Sequence, residues 1–397
     1  MDEYDIAVVG GGPIGCFVAE QLASKGRHVA VFEEHSTIGE PVHCAGLVTQ
    51  RVFDISKCSP TRIVQNKIYG AVIHSPSGST LTIGGEKVHG LVISRQRFDE
   101  TLSQNAQTAG AELLTGYKIV SAKKQENHIT LTIKQNEQTL PVRCNILIGA
   151  DGPHSSIRKI FGFPHPIEML QGIGAELSDT ALDPRFVHIF VGHNIAPGFF
   201  AWVIPTNMQG TTARIGLCIG KQSNHPLQHY FTALLQQPLL QGTTVMKRFG
   251  GAIPLGPLKK TADDHVMIVG DAAAQVKPTS GGGIYPGLLC ATQCAIVAEE
   301  ALQKQQFDGE FLKHYHRKWT KEIGRELSLG MRFRKIFTSL TDEQLVKYLE
   351  KLNNKKTIDV INTHGDIDYP SRLALPLIKT SPSLLSLAPA MLKRTKQ

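Results

Sequence analysis

The chain lacks several features that mark special classes of protein. No run of about 18 uninterrupted apolar residues occurs in it, so no transmembrane helix is predicted. A strand pattern begins at the N-terminus, and we therefore expect no signal peptide. The seven cysteines are scattered and none forms a Cys-x-x-Cys pair. This distribution favours a reducing cytoplasm over a disulfide framework, and it predicts no metal site.

Nucleic-acid-binding motifs are also lacking, although the chain carries a net charge of +8 and a pI of about 9.0. Either the surface is an ordinary solvated basic one, or it attracts an anionic membrane leaflet. We expect no nucleic-acid partner and peripheral contact with the inner face of the membrane. The tail, residues 381–397, mixes leucine with lysine and arginine, which is typical of an amphipathic membrane-facing segment or of an ordinary capping helix.

A nucleotide-binding pattern occupies the N-terminus. A short strand, 6–9, is followed by Gly10, Gly12 and Gly15 in Gly-x-Gly-x-x-Gly spacing, then by a helix, a second strand and Glu33. These glycines allow a tight turn, close approach of the backbone to a pyrophosphate, and close helix–strand packing, while Glu33 lies where a carboxylate binds ribose hydroxyls. The alternative is a plain βαβ unit with a glycine-rich turn, and the motif alone does not separate FAD from NAD.

Two further segments carry candidate site residues. Residues 35–49 show no helical or strand period and form a predicted loop centred on Cys44, which is either a small buried hydrophobe or a point of close approach to a ligand. Ser94 is a predicted N-cap, and Arg95 follows it in the first turn. Because a cation is unfavourable there, Arg95 indicates an anionic partner such as a diphosphate, or else an ordinary surface arginine.

We predict two to three domains, because a chain of 397 residues is too long for one ordinary hydrophobic core. Residues 62–93 and 165–255 show short alternating segments that predict antiparallel strands, the latter forming a wall over a ligand. Between them, 120–143 predict a three-stranded meander and 145–150 a buried strand. A strand at 266–269 precedes a long apolar helix, and the chain is helical and basic from residue 307.

Candidate ligand-binding motifs follow three predicted buried strands: the N-terminal glycines with Glu33, Asp151-Gly152, and Gly270-Asp271. Together they resemble the FAD-binding pattern of the p-hydroxybenzoate-hydroxylase-like flavoprotein superfamily over about residues 1–305. The resemblance implies FAD as cofactor, with its ADP part at the first motif. It further implies that Asp151 lies near the pyrophosphate and that Asp271 binds ribityl and ribose hydroxyls.

A finer resemblance is to the geranylgeranyl reductase family. EPVHCAG resembles its cysteine loop, SRQRFD its Arg-x-x-Phe-Asp element, and KPTSGGGIYPGLL its Pro-x-x-Gly-Gly-Gly-Ile segment. PGFFAWVIP, residues 197–205, resembles its Pro-x-x-Tyr-x-Trp-x-Phe-Pro signature, with Phe200 in place of tyrosine and Ile204 in place of phenylalanine. The pattern looks most like the archaeal digeranylgeranylglycerophospholipid reductases, which saturate isoprenoid chains of membrane lipids. Loss of the tyrosine hydroxyl puts a proton-donor role at position 200 in doubt.

The resemblance implies roles for individual residues. The implied cofactor-binding residues are Gly10, Gly12, Ile14, Gly15, Glu33, Cys44, Ala45, Gly46, Arg95, Val120, Asp151, Asp271, Gly281, Gly282, Gly283 and Ile284. The implied substrate-binding residues are Phe200, Trp202 and Pro205. Cys44 is a candidate proton source or packing group at the flavin edge. Tyr285 is a second catalytic candidate, with a structural ring on its helix as the alternative.

The implied fold is α/β mixed, with a Rossmann-like FAD-binding domain (1–60, 94–160 and 264–305). An antiparallel-sheet substrate domain (61–93 and 161–263) and a helical C-terminal region (306–397) complete it. The implied reaction adds a hydride from reduced flavin and a proton across a C=C bond of an isoprenoid lipid. No second Gly-x-Gly-x-x-Gly for NAD(P)H is evident, so we expect an external donor: a reduced small carrier, ferredoxin or reduced nicotinamide.

Two rival functions remain. FFAWVIP partly resembles the Trp-x-Trp-x-Ile-Pro pattern of halogenases, so a flavin-dependent monooxygenase or halogenase acting on a small aromatic substrate is one alternative. Phe200 replaces the first tryptophan of that pattern, and no convincing halogenase lysine is evident. The other alternative is a non-catalytic flavoprotein that binds lipid or relays electrons.

Overall fold

The computed structural model describes residues 2–387. In this part of the chain the strands are β1 (Asp2–Val9), β2 (Val29–Glu33), β3 (Leu47–Val48), β4 (Val64–Ile68), β5 (Gly70–His74), β6 (Thr80–Gly84), β7 (Gly90–Ile93), β8 (Glu112–Thr115), β9 (Tyr117–Lys124), β10 (Ile129–Gln135), β11 (Gln138–Gly149), β12 (Glu168–Ser178), β13 (Phe186–Phe190), β14 (Ala201–Pro205), β15 (Thr212–Ile219), β16 (Thr244–Leu255), β17 (Ala262–Asp263) and β18 (Val266–Ile268).

The α-helices of the same residues are α1 (Pro13–Ala23), α2 (Gln50–Ser56), α3 (Arg95–Thr108), α4 (Ser156–Ile160), α5 (Leu227–Leu235), α6 (Ile284–Lys304), α7 (Gly309–Trp319), α8 (Arg325–Thr338), α9 (Asp342–Leu352), α10 (Lys355–His364) and α11 (Ser371–Thr380). The predicted amphipathic tail reaches residue 397, and its last ten positions, 388–397, lie outside the described residues.

The first sheet is the predicted Rossmann-like layer. Its central order is β17-β18-β11-β1-β2-β8, and β1 runs parallel to both β2 and β11. Helices α1, α3 and α6 cover one face, where Ile6 and Val8 are fully buried. β9 and β10 extend from β11 as an antiparallel pair. The prediction of a separate strand at 145–150 is wrong. This segment continues the third strand of the meander, and together they form the single twelve-residue strand β11.

The second sheet is the predicted mostly antiparallel wall. Its seven strands lie in the order β16-β12-β15-β14-β13-β5-β6. β13 and β5 are the exception, because they pair in parallel. Residues 62–93 divide between two sheets: β5 and β6 join this one, whereas β4 and β7 pair with β3 in a separate three-stranded sheet.

Helices α7 to α11 form the predicted helical C-terminal region. The π-helical turn Thr320–Gly324 joins α7 to α8 without a break. Within residues 2–387, no helix combines the length and the apolarity that crossing a bilayer would require. The same residues contain no cluster of three or more His, Cys, Asp or Glu side chains suited to a metal ion.

The start of α1 depends on three glycines with different surroundings. Gly10 has φ +105°, and an added Cβ would lie 2.4 Å from the Ala150 carbonyl oxygen. A Cβ on Gly15 would lie 2.0 Å from the Gly10 carbonyl oxygen, so the helix packs against the strand end only without a side chain there. A Cβ on Gly12 would meet no atom within 4 Å.

Replacement of Gly15 by alanine is therefore expected to destabilise the fold by about 1–3 kcal/mol or more, because backbone must move to admit the methyl group. Urea denaturation of the cofactor-free protein measures this loss. Gly12→Ala is the matched control. Gly12 lies in the same turn at φ −69°, and a Cβ added there would meet no atom within 4 Å. Equal stability of Gly15→Ala and wild type would contradict the packing.

Candidate cofactor and substrate cavity

One large cavity lies where the sheets and the C-terminal helices meet. Its volume is about 1520 Å³, which exceeds the roughly 300–1,000 Å³ of an ordinary ligand pocket. One end is lined by the β1–α1 turn and the ends of β2 and β11, and the other end by β5, β13, β14 and helices α9 to α11. The cavity therefore has room for a dinucleotide together with a second ligand.

Two helices begin at this cavity without a side-chain cap. α1 starts after Gly12 and α6 starts after Gly283, and neither helix has an acidic residue in its first turn. Gly12 and Gly281–Ile284 line the cavity. Unpaired N–H groups and the partial positive charge of a helix N-terminus favour anions and polar oxygens. The cavity thus offers two separate anion-binding ends.

Two carboxylates stand near the α1 end. Glu33 accepts hydrogen bonds from the backbone N–H groups of Gly11 (2.7 Å) and His35 (2.9 Å), which fix it at the end of β2. Asp151 caps α4 through one oxygen, which accepts from the Ser156 N–H at 2.7 Å and from its hydroxyl at 2.8 Å. The other oxygen, Oδ1, is buried and has no partner. A buried carboxylate oxygen without a donor suits a ligand hydroxyl that can donate to it.

Asp271 and Arg95 also line the cavity, and Asp271 lies beside Gly283 at the start of α6. Burial raises the pKa of Asp271 to about 6, and the charge of Arg95 opposes that rise. Arg95 also forms a bidentate pair with Asp99 one turn later in α3, at 2.8 and 3.1 Å. Its side chain is only 16% exposed. The interpretation of Arg95 as an ordinary surface arginine is therefore wrong, whereas its contact with FAD stays a prediction.

The cysteine loop is held by an arginine that the sequence analysis missed. Gly46 donates its backbone N–H to the Cys44 sulfur at 3.4 Å, and the charge of Arg95 interacts with that sulfur. Arg214 reaches in from β15 and donates to the carbonyl oxygens of Ile93 (2.8 Å) and Ala45 (3.3 Å). The sequence signal for this role is Arg214 itself, a cation inside the otherwise apolar segment TTARIGLCIG. Arg214 thereby ties the loop to the second sheet.

Aromatic side chains form one wall of the cavity. Trp202 and Ile204 line the cavity because alternate residues of β14 face the same side, and Phe200, just before β14, continues this alternation. The buried Nε1 of Trp202 has no hydrogen-bond partner. Pro205 has the opposite orientation and does not line the cavity. The prediction that Pro205 contacts substrate is therefore wrong, and its carbonyl instead accepts from Asn66 Nδ2 at 3.0 Å.

The C-terminal helices, which the sequence analysis did not connect to the site, line an apolar arm of the cavity. Its apolar lining residues from these helices are Phe337, Leu345, Leu349, Leu352, Ile361 and Leu373. The seven-stranded sheet contributes the facing side chains Ala71, Ile73, Ile83, Val187, Ile189 and Val191. This arm therefore suits a long apolar chain.

Val120 and Tyr285 are two further predicted site residues that do not line the cavity in the described part of the chain. Val120 is 46% exposed and is the extra residue of a β-bulge between β9 and β10, which leaves Ile119 to line the cavity in its place. Tyr285 is buried away from the cavity, and its hydroxyl lies 2.8 Å from that of Tyr369. Burial and this hydrogen bond raise the pKa of Tyr285, so the ring is structural in this conformation.

The residues present fit FAD. The two uncapped helix N-termini match the two acceptor-rich parts of the cofactor, its pyrophosphate and its flavin pyrimidine ring. Gly12 leaves room for the cofactor to approach the backbone closely. Asp151, Trp202 and Ser280, which line the cavity, each have a buried polar atom without a partner. The other predicted cofactor residues that line the cavity are Gly10, Ile14, Glu33, Cys44, Ala45, Gly46, Arg95, Asp271, Gly281, Gly282, Gly283 and Ile284. Gly15 lies behind them in the packing of α1.

Comparison with known proteins agrees with this geometry. A family model described as an FAD binding domain matches residues 3–244. A digeranylgeranylglycerophospholipid reductase of Methanothermobacter thermautotrophicus is 31% identical over 94% of this chain and 98% of its own length. A geranylgeranyl bacteriochlorophyll reductase-like protein of Thermoplasma acidophilum superposes with a TM-score of 0.86 at 22% identity, covering 98% of this chain and 100% of that one.

The fold is also shared with a flavin-dependent halogenase. That protein, CmlS, superposes with a TM-score of 0.70 at 14% identity over 97% of this chain and 78% of its own length. Likeness at this identity concerns the fold alone, so the choice between chemistries depends on the cavity.

The raised pKa of Asp271 predicts a pH-dependent stability of the cofactor-free protein. The folded protein binds the Asp271 proton more tightly than the ordinary pKa of 3.8 implies, so the contribution of Asp271 to wild-type stability falls as the pH rises from about 4 to about 6. Asp271→Asn removes this cost and should be more stable than wild type above pH 6 by up to about 2–3 kcal/mol, with no gain near pH 4. Urea denaturation across this range measures it.

Asp359→Asn, which removes an exposed carboxylate outside the cavity, controls for the loss of one negative charge. Parallel pH profiles of wild type and Asp271→Asn would contradict the burial of a costly carboxylate at this site.

Proposed function

Because the chain belongs to the FAD-binding domain family, and within it to the geranylgeranyl reductases, we propose that it saturates C=C bonds in geranylgeranyl chains of archaeal-type membrane lipids. It is an FAD-dependent oxidoreductase, and FAD is its cofactor. The substrate, the residues that act on it and the route of the proton are the parts that we propose.

The observation that carries the proposal is the continuity of the cavity. A polar end with two helix N-termini passes into an arm lined by aliphatic and aromatic side chains from β5, β13, β14 and α9 to α11. An isolated alkene offers no polar handle, so only shape and apolar walls hold it. A polyprenyl chain fits such an arm better than a small polar aromatic does.

When bound and reduced, FAD supplies the hydride that alkene saturation needs. The backbone N–H groups at the start of α6 would hold its pyrimidine edge, and Asp271 would accept from its sugar-chain hydroxyls. Cys44 lines the same cavity as these groups, in a loop that the Gly46 N–H and Arg214 hold in place. We assign to Cys44 the proton that the second alkene carbon receives, or the packing of the alkene beside it.

Peripheral contact with a membrane forms part of the proposal. On α9, Leu345, Leu349 and Leu352 line the cavity, while Lys347 and Lys351 are exposed on the other side of the same helix. Exposed lysines continue at the start of α10. The net charge of +8 of the whole chain attracts it to an anionic leaflet, from which a lipid chain enters the arm. Electrons come from an external reduced carrier.

Mass spectrometry of the lipid product tests the proposal. Wild-type enzyme, an external reductant and digeranylgeranylglycerophospholipid in anionic vesicles are incubated without oxygen, with Cys44→Ser in parallel. We expect a gain of two hydrogens per reduced bond with wild type. An unchanged rate in Cys44→Ser would remove the thiol from proton transfer and leave it a packing role. Turnover of a small aromatic that requires oxygen, without any lipid product, would support a monooxygenase or halogenase instead.

A charge inside the apolar arm is expected to block the substrate alone. Leu349→Lys places an ammonium among aliphatic side chains, and its desolvation cost should reduce lipid turnover at least about tenfold while FAD remains bound. Flavin absorbance and product formation are measured on the same preparation. Glu350→Lys is the matched control, because the neighbouring residue is exposed on the outer side of α9. Equal turnover of both variants would place the lipid chain elsewhere.

A further inference from the structure

Lys277 forms a buried ion pair that the proposed reaction leaves unexplained. Its ammonium lies 2.6 Å from Asp368 Oδ1 and 3.3 Å from the Ile367 carbonyl oxygen. The two side chains are only 8% and 1% exposed. A buried ion pair roughly recovers its desolvation cost and adds little stability, so its presence beside a cavity suggests a role in function.

The lysine belongs to the loop that leads into α6. Two backbone hydrogen bonds close this loop, from Lys277 N to the Gly282 carbonyl (3.2 Å) and from Gly281 N to the Lys277 carbonyl (2.8 Å). A Cβ added to Gly282 would lie 3.3 Å from the lysine Nζ. The ammonium therefore sits against the glycine backbone, and Lys277 itself lines the cavity.

Asp368 belongs to a different part of the chain. It follows the cavity-lining residues Asp366 and Ile367, between α10 and α11. Its second oxygen accepts from the Thr49 hydroxyl at 2.5 Å and from Arg51 at 3.1 Å. Arg51 is itself paired with both oxygens of Asp366, at 2.8 Å each. Lys277 is therefore the main charge that Asp368 balances, and the pair joins the α6 loop to the segment beside the apolar arm.

We propose that Lys277 is a positioning residue that holds a positive charge at the flavin-binding loop and raises the reduction potential of bound FAD, while Asp368 limits this effect by sharing the charge. The inference rests on the proposed function, because it takes the loop 277–283 as the neighbour of the flavin pyrimidine ring. Reduced flavin carries more negative charge on that ring than oxidised flavin, so a nearby cation favours the reduced form.

The midpoint potential of the holoenzyme, measured by spectroelectrochemistry, tests this charge directly. Lys277→Met is expected to weaken the preference for reduced over oxidised FAD about tenfold, which lowers a two-electron potential by about 30 mV. Lys277→Arg, which keeps the charge, should stay close to wild type. Asp368→Asn should raise the potential, because the ammonium loses its counter-charge.

Lys124→Met is the matched control, since it removes a lysine from an exposed ion pair with Asp264 outside the cavity. An unchanged potential in Lys277→Met, or shifts of the same sign in Lys277→Met and Asp368→Asn, would overturn the inference and leave a structural ion pair. If Lys277→Met fails to hold FAD, Asp368→Asn decides: a higher potential supports the inference, and an unchanged or lower one overturns it.

These potentials need no lipid substrate. A wild-type enzyme that reduces no geranylgeranyl lipid, yet shows the expected opposite shifts, would overturn the proposed substrate and retain the role of Lys277. Lipid reduction by wild type with an unchanged potential in both variants would retain the proposed substrate and overturn the role of Lys277.

Discussion

The cavity depends on the start of α1 and α6, two helices that open on it with no side-chain cap. Their free N–H groups favour a ligand rich in oxygen, and each helix reaches the cavity through glycines that a side chain would block or crowd. Around these two points stand carboxylates with an unused oxygen or a raised pKa, Asp151 and Asp271. A cofactor with phosphates, sugar hydroxyls and a flavin ring supplies the partners that these groups lack.

The polar half of the site could be predicted from the sequence because its signals are local. Gly10, Gly12 and Gly15 each have surroundings that match the packing or approach expected of them. The wall residues Phe200 and Trp202 line the cavity as well. The predictions that Val120 and Pro205 belong to the site are wrong for local geometric reasons. A bulge turns Val120 outward, and the two-residue period of β14 turns Pro205 away from the cavity.

The apolar half could not be predicted, because it forms only when distant segments meet. Leu349 and Ile361 occupy amphipathic helices whose pattern indicates burial without indicating what they face. Arg214 and Lys277 are single cations in the sequence, and their partners lie far along the chain, at Ala45 and Asp368. These long-range contacts connect the cysteine loop to the second sheet, and the loop 277–283 to the segment beside the apolar arm.

The same fold occurs in a flavin-dependent halogenase, so the reaction depends on what the cavity admits to the reduced cofactor. Anaerobic reoxidation of the reduced holoenzyme by a geranylgeranyl lipid tests this most directly. The account predicts that oxidised flavin absorbance returns on mixing with the unsaturated lipid and does not return with its fully saturated analogue. Flavin that stays reduced with both lipids and reoxidises only when oxygen enters would contradict it.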